Sequence, residues 1–171
     1  MKRFLAGVIF TLVCVIGGIY AYFSGGSAPV ATSAPPMPFE RKLAHMALDA
    51  RLQKEMPKSV PIEANEANYL AGARAYLTNC AVCHGVPEKE PTAIARGEFP
   101  KPPQLFKGTG VTDDPPGETY WKVANGIRLS GMPGYKGGLS ETEMWQISLL
   151  LANADKLPNS VTAVLKGQQK P

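Results

Sequence analysis

The chain is poor in the residues that build metal cages and disulfide frameworks. It holds two histidines and three cysteines in 171 residues. Structural zinc usually takes two ligand pairs. Here the remaining candidates, Cys14 in an apolar run and His45 standing alone, make no second pair to join Cys80, Cys83 and His84. Three cysteines give no disulfide framework either. No strand pattern flanks Cys80 and Cys83, so a thioredoxin-like redox pair lacks its βαβ setting. Charge is modest too. The formal net charge is +4, and without Lys2 and Arg3 there remain 16 basic against 14 acidic side chains. No basic patch points to nucleic acid. By contrast, 16 prolines and 17 glycines are many for one compact domain and predict linkers and loops.

The scarce residues are concentrated in one pentapeptide, Cys80-Ala81-Val82-Cys83-His84. Cys-x-x-Cys-His reads as a c-type haem attachment site. On a helical turn, residues three apart share a face, so both thiols can reach the two vinyl groups of one porphyrin. The adjacent His84 offers an imidazole nitrogen to the iron. The competing readings are zinc, a redox pair, and a structural disulfide beside an incidental histidine.

The amino end carries Met1-Lys2-Arg3 and then an uncharged run of 20 residues, Phe4 to Phe23, about the length of a spanning helix. Lys2 and Arg3 favour a cytoplasmic amino end, which sends the pentapeptide across the membrane, and Tyr20 and Tyr22 suit the far interface. The expectation is an uncleaved single-pass anchor in a bacterial inner membrane, with the remainder facing the periplasm. A cleaved signal peptide or a lipoprotein at Cys14 would send the motif out of the cytoplasm equally. Residues 24–38, rich in Ser, Gly, Ala and Pro, read as a linker. Residues 39–56 read as a helix, with a partial apolar stripe of Leu43, Met46, Ala47, Ala50 and Met56. His45 lies on it, as a solvated side chain or a second haem ligand.

A helix is predicted over 65–80, with Asn65 as N-cap and Glu66 in its first turn. Gly72, costing about 1 kcal/mol relative to Ala inside a helix, points to close approach by another helix. Residues 85–113 show no period and read as a long loop, wrapped around a cofactor. A helix is expected to open at Asp114-Pro115 and close at Gly126. Met132 then stands in a loop between Gly131 and Pro133, where packing gives little reason for methionine; a thioether on an unyielding loop suits a sixth iron ligand. The last helix is expected over about 141–154, opened by a Ser140/Glu143 capping box and buried against the 65–80 helix. The tail from Pro158 to Pro171 lacks strong pattern and is expected to fray.

These residues together resemble the class I cytochrome c family, in its bacterial mono-haem branch that includes the haem domains of cbb3-oxidase subunit III. The resemblance runs over roughly 62–157. It rests on Tyr69 to Tyr76, Cys80 to Gly85, Pro103-Gln104-Leu105, Trp121 to Arg128, Gly131-Met132-Pro133 and Trp145. It implies an all-α cytochrome c fold in four parts: an anchor at 1–23, a linker at 24–61, the haem domain at 62–157 and a tail at 158–171. One haem c would be held by Cys80 and Cys83, with His84 proximal and Met132 distal. The Pro103 carbonyl, or that of Pro102, would accept a hydrogen bond from His84. Gly72 would mark the crossing with the last helix near Trp145, and Arg128 and Arg96 are the candidates for a propionate. The implied function is electron carriage between respiratory or dehydrogenase partners rather than catalysis. A haem-bearing subunit of a larger oxidoreductase is the alternative, and an enzyme or gas sensor that opens the iron is a third.

Overall fold

A computed structural model of the chain describes residues 1–167. The chain divides into two compact units, Met1–Leu43 and Ala44–Pro171. In the first, helix α1 runs Lys2–Ser24 with every residue exposed. Its mean hydropathy reaches 2.3 over an 18-residue window. Among the described residues it is the one helix long and apolar enough to cross a membrane. Turns follow, and the Glu40 carboxylate accepts a hydrogen bond from the Met37 N–H at 2.8 Å. That contact opens α2, Glu40–Glu55, which continues into the second unit.

The second unit is helical: α3 Glu66–Asn79, α4 Ala81–His84, α5 Ala93–Gly97, α6 Pro116–Asn125, α7 Glu141–Ala152 and α8 Asn159–Leu165. Among the described residues there is no strand, only an isolated bridge between Lys136 and Leu139. The helices begin where local chemistry satisfies their first N–H groups. Asn65 Oδ1 accepts from Asn68 N at 3.0 Å and opens α3. Ser140 and Glu143 form the reciprocal capping box of α7. α6 starts one residue later than expected: Pro115 is its N-cap and Pro116 its first residue, with no side-chain cap. Gly126 closes it at φ +69°.

The core is the crossing of α3 and α7. Gly72 is buried there, and a Cβ on it would run into the Gln146 carbonyl oxygen. A bare backbone face lets the two helix axes approach closely. Gln146 Nε2 adds a 2.9 Å bond to Asn68 Oδ1. Tyr76, Met144, Ile147 and Leu150 fill the space around the crossing. Trp145 points elsewhere: its ring stacks on Tyr120 of α6, with centroids 4.2 Å apart. α7 is therefore buried on more than one side, by α3 and by α6.

Two segments differ from the sequence reading, and a third, whose packing the sequence leaves open, is placed by the structure. The tail is not frayed throughout: Asn159–Leu165 forms α8, and Val161 and Leu165 are buried in the α3–α7 core. Lys166 also pairs with Glu88 at 2.7 Å. Residues 168–171 of that tail lie outside the described residues. The 85–113 stretch is not wholly irregular, because Thr92 caps the short α5 through a 3.1 Å bond from Ala95 N. Finally, the end of α2 is seated on the domain. Leu52 is buried, Glu55 accepts from Trp121 Nε1 at 3.2 Å, and the Pro57 carbonyl lies against Gly117.

Candidate haem-attachment site

The pentapeptide sits at a break between two helices. Cys80 ends α3 and begins α4. Its carbonyl accepts from Cys83 N at 3.1 Å and from His84 N at 2.9 Å, so the five residues form one tight turn. Gly85 ends the turn at φ +73°, where a side chain is strained. All three cysteines are free. Burial, and then the neighbouring Cys83, push the Cys80 thiol up to about 12. Cys83 is also raised, by desolvation and then by the Glu98 carboxylate that accepts its S–H at 3.1 Å. Among the described residues, no group of three or more His, Cys, Asp or Glu side chains is placed to hold a metal ion.

His84 is oriented by the loop that follows. Its Nδ1 lies 2.9 Å from the Pro103 carbonyl. A carbonyl only accepts, so Nδ1 carries the hydrogen, and in the neutral ring Nε2 then holds the lone pair. The contact is to Pro103 rather than Pro102. The same loop is stitched to the turn at two further points: Gln104 Nε2 donates to the Cys83 carbonyl at 3.0 Å, and Leu105 N donates to that of His84 at 3.2 Å. From beneath, the buried Tyr76 hydroxyl donates to the Gly85 carbonyl at 2.7 Å. Gln104 was not singled out by the sequence, although it lies inside the Pro-x-Leu match.

Met132 stands on a loop doubled back upon the end of α6. Ile127 N bonds to the Met132 carbonyl at 3.2 Å, and Met132 N to Ser130 Oγ at 3.2 Å. Tyr135 N and Lys136 N bond to the carbonyls of Val123 and Ala124. Backbone runs so close here that a Cβ on Gly126 would lie 2.6 Å from Gly134 N. The Met132 side chain is half-buried and packs against the core.

Two contacts bring the methionine loop to the pentapeptide. The Tyr135 hydroxyl donates to the Asn79 carbonyl at 2.7 Å, one residue before Cys80. The Glu98 carboxylate touches both halves: Oε1 meets Cys83 Sγ, and Oε2 would be 2.8 Å from a Cβ on Gly131. No periodicity marked Glu98, which lies in the stretch read as loop. His45 and Arg128 are exposed, and Arg96 donates within its own segment to the Pro91 carbonyl.

Residues 67–149 match the family described as cytochrome C oxidase, cbb3-type, subunit III. That stretch is similar to a class I cytochrome c haem domain. No curated protein is significantly similar to the chain in sequence. In fold the chain is similar, with a TM-score of 0.50 and 19% identity, to a chain of the reducing HAO-like protein complex of Kuenenia stuttgartiensis. That match covers 78% of this chain and 54% of the other, so this chain spans about half the length of the solved one. The donor set of the haem domain fits its cofactor. Two free thiols lie on one turn, an imidazole has its Nδ1 already engaged, and a thioether is braced on a stitched loop.

Proposed function

We propose that the chain is a membrane-anchored mono-haem c-type cytochrome that passes single electrons between partner proteins. Cys80 and Cys83 would hold the haem through thioether bonds, and His84 Nε2 and the Met132 sulfur would ligate its iron. The observation that carries this is the His84–Pro103 bond at 2.9 Å. It commits Nδ1 and leaves the other nitrogen for a metal, beside two free cysteines. When bound, the haem supplies a one-electron ferrous–ferric couple.

The chain's own residues set the terms of that couple. The Pro103 carbonyl holds the imidazole plane and raises its basicity, as groups behind metal-bound histidines do. A methionine sulfur favours the ferrous state and raises the potential relative to two histidines. Were His84 and Met132 both to ligate the iron, little room would be left on it for a substrate, in keeping with carriage rather than catalysis. Contacts with donor and acceptor would be small and transient. Anchoring through residues 4–23, with the domain in the periplasm, would raise the effective concentration of partners in the same membrane. In this reading 24–61 is the tether and 62–157 the haem domain.

The test is the purified protein's redox-difference spectrum with a potentiometric titration, followed by denaturing solvent extraction. Covalent haem with a methionine-range potential is the expected result. Replacing both Cys80 and Cys83 with Ala should abolish covalent attachment, and haem retained through extraction of that variant would refute it. Ready carbon monoxide binding by the ferrous protein at neutral pH would favour an open-iron enzyme or sensor. A subunit role is the second reading, supported by the description of the matched family as an oxidase subunit. Stoichiometric co-purification of partners after mild solubilisation would favour it over a free shuttle.

A further inference from the structure

The loop that carries Pro103 is held to the attachment turn by an exchange of hydrogen bonds. Pro102 and Pro103 have no N–H, so neither backbone can donate to the turn. Pro103 offers an acceptor, 2.9 Å from His84 Nδ1. Donation in the other direction falls to the next two residues. Leu105 N donates to the His84 carbonyl at 3.2 Å, and Gln104 Nε2 to the Cys83 carbonyl at 3.0 Å. The same Nε2 lies 3.4 Å from the Pro102 carbonyl. Both neighbours are carbonyls, which only accept, so the NH2 end of the amide faces them. The half-buried Gln104 side chain thus joins the turn to the residue just before Pro103. Gly85 makes room for it, because a Cβ there would collide with Gln104 Oε1. Every partner in this stitch is a backbone carbonyl, which thioether formation on the cysteine sulfurs leaves in place.

We propose that Gln104 is a positioning residue for His84. By tying the Pro102–Pro103 loop to the Cys83 carbonyl, its amide sets the hydrogen bond that Pro103 accepts from the imidazole, and through that bond the potential of the iron. The inference rests on the reading that His84 ligates the haem. A hydrogen bond at Nδ1 raises the basicity of the other ring nitrogen. A more basic imidazole favours ferric iron, which bears one more positive charge than ferrous iron. Keeping the Pro103 carbonyl close therefore lowers the potential and opposes the upward pull of methionine ligation.

The test compares purified, membrane-extracted holoprotein with two variants. Gln104→Met keeps the length and loses the amide, and Gln104→Asn keeps a shortened amide. Potentiometric titration gives the midpoint potential, and NMR of the ferrous protein gives the His84 Nδ1–H resonance. Gln104→Met should retain covalent haem, move the midpoint to a more positive potential and move the Nδ1–H resonance upfield, as a loosened hydrogen bond does. Gln104→Asn should move both in the same direction and by less; it carries the test alone if Gln104→Met fails to hold haem. Gly72→Ala, which disturbs the α3–α7 crossing, should lower the melting temperature and leave both readouts in place. Either readout unmoved in Gln104→Met would overturn the inference alone. So would equal shifts in Gly72→Ala, which would mark a merely structural role. Wild-type ferrous protein whose His84 ring protons lack the upfield displacement that a haem imparts to an axial imidazole would overturn the ligation reading and this inference with it.

Discussion

Tyr76 joins the core to the pentapeptide through one hydroxyl. It is buried, it stands edge-on to Phe106, and its hydroxyl donates to the Gly85 carbonyl. Burial raises its phenol well above the ordinary value of 10.0. A folded-state value above the unfolded one means that the stabilisation is fully present below pH 10. It is lost as pH rises beyond that, when the unfolded chain ionises first. Tyr76→Phe strips the Gly85 carbonyl of this donor and should cost about 1–3 kcal/mol at pH 7. Denaturant melts should show the gap to wild type narrowing above pH 10; a constant gap would mean that the hydroxyl does not titrate with folding. For Met132, replacement by Ala should leave haem attached and lower the potential by a sizeable share of the roughly 0.8 V that axial ligands span. An unchanged potential would discard Met132 as a ligand. At this scale the sequence was eloquent where chemistry is carried by rare residue types, as in Cys80, Cys83 and His84. It was silent on Glu98 and Gln104, common residues whose importance comes only from where a loop sets them down.

Helix α3 owes its position to the absence of a side chain at Gly72. Adding one methyl would gain about 1 kcal/mol in helix propensity. It would also drive a Cβ into the Gln146 carbonyl, which is backbone and cannot swing aside. Overpacking of that kind costs about 1–3 kcal/mol. Gly72→Ala should therefore lower the midpoint of thermal unfolding despite the better propensity; a rise would mean that α7 can slide away freely. The elements most legible in the sequence were those with capping chemistry at their ends. Asn65, Gly126 and the Ser140/Glu143 pair mark α3, α6 and α7 to within a residue or two. α5 and α8 were missed for a common reason. Each is too short for a periodic stripe to stand out. α8 exists because Val161 and Leu165 join the buried core where α8 packs on α3, a tertiary effect that local propensity does not contain.

On the scale of the whole molecule, an exposed apolar helix precedes a helical domain. α1 buries none of its residues within the chain. Full-length protein expressed in a bacterial host should remain with the membrane pellet after alkaline carbonate washing. A form beginning after residue 38 but exported by a separate signal should be found in the soluble periplasmic fraction. Release of the full-length chain by carbonate would end the anchor reading. The all-helical architecture was legible from spacing and turn chemistry together. Which faces meet was less so: α7 crosses α3 at Gln146, beside Trp145 as expected, but the Trp145 ring itself stacks on Tyr120. The helical period tells which residues are apolar, but α7 is apolar nearly all round, so its pattern cannot choose a neighbour.

The bond from Tyr135 to the Asn79 carbonyl spans 56 positions of chain and needs no metal to form. With the backbone bonds to Val123 and Ala124, it cinches the thioether's loop to the helix that leads into the cysteines. For a carrier built in this way, gaining or losing an electron would ask little travel of the atoms on either side. Speed of exchange would then be governed by how long partners stay together, since the jaws themselves have nowhere to go.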